Sequence, residues 1–131
     1  MVKSDFSQGA LRQSNLIFIL YLKSIPRTNQ HTMDLQTFVT SVKAARPPDG
    51  LTVHLQSLWY AGKGDWDQAH ELVQDLPDRD AAHIHAYLHR VEGDQWNADY
   101  WYRRAGEKSP AVSLEIEWEQ LVSRFMSTTT K

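Results

Sequence analysis

From Met33 onward, apolar residues return every three or four positions, the period of a helix with one buried face. Strand-like alternation is nearly absent. Leu35, Phe38, Val39 and Val42 stand at i, i+3, i+4 and i+7 behind Asp34, whose carboxylate suits a helix N-cap. They predict a first helix over 34–45, stopped by Pro47-Pro48-Asp49-Gly50, where proline cannot continue the hydrogen-bond ladder. A second helix starts near Thr52, carries Val53, Leu55, Leu58, Trp59 and Tyr60, and ends at Gly62-Lys63-Gly64. Asp65 caps a third, with Gln68 in a box-like position and Trp66, Ala69, Leu72 and Val73 on its apolar face.

Pro77-Asp78 marks the next turn, and a fourth helix follows over 80–92 with Ala82, His85, Ala86 and His89 on one side. Asp94 caps a fifth, containing Trp96, Ala98, Trp101, Tyr102 and Ala105, which Gly106 stops. Ser113 caps a sixth, where Leu114, Trp118, Leu121, Val122 and Phe125 repeat at helical spacing. Glu115 and Glu117 suit the positive end of its dipole. The expected fold is all-α: a short antiparallel stack of about five to six helices. Its domain covers 33–126, and 127–131 form a frayed tail.

Residues 1–32 differ in character. Their longest apolar run, Leu16 to Leu22, is closed by Lys23 and Pro26 and lacks the small residues of a signal-peptide cleavage site. It also falls short of the roughly 18 residues of a membrane span. Lys3, Arg12, Lys23 and Arg27 against Asp5 alone give this segment a charge of +3. The other ten basic and fifteen acidic residues give the remainder −5, within a total of −2. The segment therefore reads as a poorly ordered N-terminal extension. The alternative is one further helix, with Leu16–Leu22 packed on the domain.

An acidic body argues against a nucleic-acid partner, and no run suits a membrane. The absence of cysteine excludes a disulfide framework, a thiolate zinc site and a cysteine nucleophile, and fits the cytoplasm.

A shift of 29 residues lays Gly64-Asp65 on Gly93-Asp94 and Ala69 on Ala98, so each copy is helix, Gly-Asp turn, helix. This resembles the tetratricopeptide repeat (TPR), whose second half reads Gly-Asp-aromatic, Ala, aromatic, Ala. Here the first copy supplies Gly64, Asp65, Trp66, Ala69 and Val73. The second supplies Gly93, Asp94, Ala98, Tyr102 and Ala105, with Ala86 in its first helix. The period is shorter than the usual 34, and Gln95 replaces an aromatic. The stretches His85–Arg90 and Asn97–Gly106 are also similar to small uncharacterised bacterial proteins. In a stack of this kind the first and sixth helices cover its two ends.

The TPR resemblance implies a concave groove lined by His54, Leu58, His83, Tyr87 and Arg90, a mixed surface suited to an acidic or carboxylate-ended peptide. Separately, His85, His89 and Glu92 stand at i, i+4 and i+7 on one helix face. Paired imidazoles one turn apart can hold a divalent ion if a third ligand converges: Glu92, His54 or His70. Packing against the following helix is the alternative role for both histidines. His70-Glu71-Leu72-Val73-Gln74 fails as a zincin motif because it ends in Gln. Trp96, Tyr100, Trp101 and Tyr102 crowd one helix, so their rings must point several ways, and Arg103-Arg104 follow.

No hydrolase elbow or phosphate loop is present. The expected function is a non-enzymatic interaction module without a cofactor, binding a protein or peptide, with self-association compatible with stacking. The alternative is a small metal-binding protein or hydrolase using the His85, His89 and Glu92 cluster.

Overall fold

The computed structural model describes residues 33–128, and both readings of 1–32 lie outside them. The described residues form six helices and no strand. These are α1 (Leu35–Ser41), α2 (Val53–Lys63), α3 (Trp66–Val73), α4 (Arg79–Val91), α5 (Gln95–Ala105) and α6 (Leu114–Thr128). Five begin at side-chain caps. The carboxylates of Asp34, Asp65, Asp78 and Asp94, and the Thr52 hydroxyl, each accept from a backbone N–H three residues on. Ser113 Oγ likewise accepts from the Ile116 N–H at 3.2 Å.

Helix α1 is shorter than the pattern predicts. After Ser41 the turn tightens to i→i−3 bonds, and Lys63 Nζ satisfies the carbonyls of Val42 (3.1 Å) and Ala44 (2.5 Å) from α2. Helix α6 instead continues through Thr128, into the stretch expected to fray.

The internal repeat is visible in the backbone. Asp65 has φ −93 and ψ 79, and Asp94 has φ −95 and ψ 78. Gly64 and Gly93, at φ 91 and 83, take the left-handed conformation each turn needs. In both turns the aspartate N–H donates at 2.9 Å to a carbonyl five residues back, Tyr60 in the first and His89 in the second. Ala69 and Ala98 are fully buried where the paired helices approach, opposite Ser57 and Ala86. Ser57 Oγ donates to the Ala69 carbonyl at 2.7 Å, so the hydroxyl is satisfied there without added volume.

The two helix pairs, α2–α3 and α4–α5, join through Trp66, whose Nε1 donates to the Leu88 carbonyl at 2.6 Å. The main core gathers Phe38, Leu58, Trp59, Ile84, Leu88 and Trp118 among others.

Helix α6 departs from the expected end cap. It packs against α1, α2 and α4, across the side where the first helices of the two pairs lie. Its stripe of Trp118, Leu121, Val122 and Phe125 is buried there. Trp118 Nε1 donates to the Leu58 carbonyl at 2.8 Å. Gly62 makes this approach possible, since a Cβ there would stand 2.7 Å from the indole. The apolar stripe is wide enough to join the main core, and an end position would leave half of it wet.

Candidate interaction surfaces and a histidine cluster

The five groove positions face the chain's own last helix. Leu58 and Tyr87 are buried in the core, Leu58 under Trp118. The His54 ring lies 5.8 Å from that of Phe125, and its Nε2 meets Asp78 Oδ2 at 2.7 Å. Arg90 Nη1 donates to Glu117 Oε1 at 2.7 Å, while its Nη2 donates to the Val112 carbonyl. His83 Nε2 stands 3.9 Å from Glu117 Oε2. The side expected to receive a peptide thus holds an internal helix.

Glu117 is the polar centre of this contact. It is 2% exposed and takes the Arg90 guanidinium on one oxygen and the Tyr102 hydroxyl, at 2.6 Å, on the other. Burial pushes its carboxyl above the usual range, against the pull of Tyr102 and Arg90. Burial and the adjacent Glu117 charge raise the Tyr102 hydroxyl in turn. Desolvation lowers His83. The network therefore holds one carboxylate between a cation and a phenol, with the His83 imidazole beside it.

The crowded aromatics of α5 divide as the narrow stripe requires. Tyr102 is buried, and Trp101 stacks on His85 with ring centroids 3.9 Å apart and 21° between planes. Trp96 and Tyr100 turn outward, 76% and 40% exposed, one turn apart. Arg103 and Arg104 are exposed on the next turn, the Arg104 guanidinium 5.3 Å from the Trp101 ring.

His85 and His89 do share a face of α4, their rings stacked with centroids 4.9 Å apart. The residue brought to them is His70 of α3, whose Nε2 lies 2.9 Å from His85 Nε2. The ligand atoms of His70, His85 and His89 all fall within 4.8 Å of one another. Glu92 bonds instead to His89 Nδ1 at 2.7 Å and groups with His89 and Asp94. His54 stays with Asp78. The signal for His70 was in the repeat: the second helix of one pair packs on the first helix of the next, and His70 lies one turn past Trp66, the residue that joins them.

Searches of family models, curated proteins and solved structures found no match to this chain. Among the described residues, no helix is long and apolar enough to cross a membrane.

Proposed function

We propose that the chain is a non-enzymatic, TPR-like interaction module of the cytoplasm, and that it engages a protein partner through the outer face of α5. The observation that carries this proposal is the exposure of Trp96 and Tyr100 one turn apart, followed by Arg103 and Arg104. Tryptophan, tyrosine and arginine dominate the energetics of protein interfaces. A tryptophan left three-quarters exposed forgoes apolar burial that a partner can supply. The two arginines favour a partner segment that brings carboxylates beside its apolar contact. The concave side is a poorer candidate, because α6 already engages it.

The test compares wild type, Trp96→Ala/Tyr100→Ala, and an Arg124→Ala control on α6 in crosslinking from native extract, followed by binding measurements with the recovered protein. The double variant folds with an unchanged Tm and binds on the order of 10- to 100-fold more weakly, while the control binds normally. Absence of a stoichiometric partner, or equal binding by the double variant, refutes the proposal.

A further inference from the structure

We propose that His70, His85 and His89 form a binding site for one divalent transition-metal ion of the zinc class. The site is separate from the outer face of α5 and stands whether or not that face binds a partner.

Three imidazoles converge from two helices belonging to different helix pairs. Zinc–nitrogen bonds of about 2.1 Å place tetrahedral ligands about 3.4 Å apart. Here His70 Nε2 and His85 Nε2 stand 2.9 Å apart, and the three ligand atoms all lie within 4.8 Å of one another, a range that contains that value. Small side-chain rotations therefore suffice.

The rings are oriented in advance. His70 stacks on Trp66 with centroids 4.6 Å apart and 12° between planes, and Trp66 is itself anchored to the Leu88 carbonyl. His85 is held against Trp101. Glu92 on His89 Nδ1 fixes a proton there and leaves Nε2 with its lone pair, the carboxylate–histidine arrangement that supports bound metal.

His85 is 5% exposed and meets His70 through Nε2, the nitrogen the ion would take. An all-imidazole donor set suits zinc, copper, nickel or cobalt and disfavours magnesium and calcium.

His89, Glu92 and Asp94 form a competing group that shares His89, so His70 is the residue that separates the two assignments. The experiment titrates Zn²⁺ into the untagged full chain by calorimetry, with Co²⁺ as a spectroscopic probe. The expected result is one equivalent bound with a Kd below about 1 μM. His70→Ala weakens binding at least 100-fold while circular dichroism stays unchanged. Glu92→Gln weakens it about 10- to 100-fold, and Asp94→Asn leaves it intact. Binding weaker than about 100 μM, or His70→Ala within threefold of wild type, overturns the proposal. If His70→Ala fails to fold, X-ray absorption on the zinc-loaded wild type decides. Three imidazoles in the first coordination sphere support the site, and one or two overturn it.

Discussion

Replacing Arg90 with alanine strands a charge. Glu117 is almost wholly buried, Arg90 Nη1 lies 2.7 Å from its carboxylate, and after the change only the Tyr102 hydroxyl donates within 3 Å. Removing one partner of a buried ion pair costs about 3–5 kcal/mol, chiefly because the remaining charge stays desolvated. Retention of Tyr102 argues for the lower end, about 3 kcal/mol. For a body of this size that is a Tm drop of roughly 10–25 °C. Urea denaturation followed by tryptophan fluorescence and circular dichroism at pH 7 measures it.

Two further arms isolate the cause. Adding Glu117→Gln removes the charge but keeps an acceptor for Tyr102, so the double variant regains more than half of the loss. Burial already raises Glu117, and losing Arg90 raises it further. A carboxyl whose folded pKa lies above its unfolded value stabilises most below the unfolded value, and that contribution is lost as pH rises. The deficit of Arg90→Ala against wild type therefore widens as pH rises from about 4 toward 7. A loss under about 1 kcal/mol at pH 7, or a double variant less stable than the single, refutes the charge-burial account.

Metal-free protein should also lose stability in mild acid. His85 sits at about 3, well below the ordinary histidine value, so its contribution is complete above about pH 6.5 and falls as pH drops toward 3. Its slope is about 1.4 kcal/mol per pH unit. His85→Phe removes one proton's worth of that slope and leaves the part due to His83, and an unaltered slope contradicts the assignment. His70, His89 and Glu92 face the same cluster, so the comparison is made in chelator at constant ionic strength. Ala98→Leu, at a fully buried close approach of α4 and α5, costs about 1–3 kcal/mol in thermal or urea unfolding. Ala111→Leu, on the exposed loop before α6, changes stability by less than about 0.5 kcal/mol, and equal effects at the two sites would contradict the packing.

The helices were legible because each carries its own signals: an aspartate, threonine or serine cap, a 3.6-residue stripe and a glycine or proline stop. The repeat was legible because its turn demands a left-handed glycine followed by a capping aspartate, twice at one spacing. The position of α6 was not. An amphipathic stripe states that one face is buried but not against which helices, and Gly62, which admits Trp118, looks in sequence like part of a terminator. For the same reason Glu117 read as a first-turn carboxylate on a helix dipole, while its bonds to Arg90 and Tyr102 depend on helices 15 and 27 residues away. The histidine cluster was half legible. The pair on α4 follows from spacing and His70 stood among three candidate third ligands, but which of the three converges depends on how one helix pair sits on the next.

The last described helix also bears on how the repeat could be extended. After α5 the chain makes the same turn a third time, with Gly106 left-handed and the Glu107 N–H donating to the Tyr102 carbonyl at 2.9 Å. An open array would enter another helix pair at that point. Instead the chain passes Pro110 and returns α6 across α4, α2 and α1. Fifteen residues at about 1.5 Å each give a rod of roughly 22 Å. Neighbouring helices lie about 8–10 Å apart, so that rod spans about three of them. Duplicating one 29-residue unit would carry the start of α6 a full pair away from Leu58 and Gly62, beyond its reach. Growth of the repeat by tandem duplication would therefore require a longer final helix in the same step.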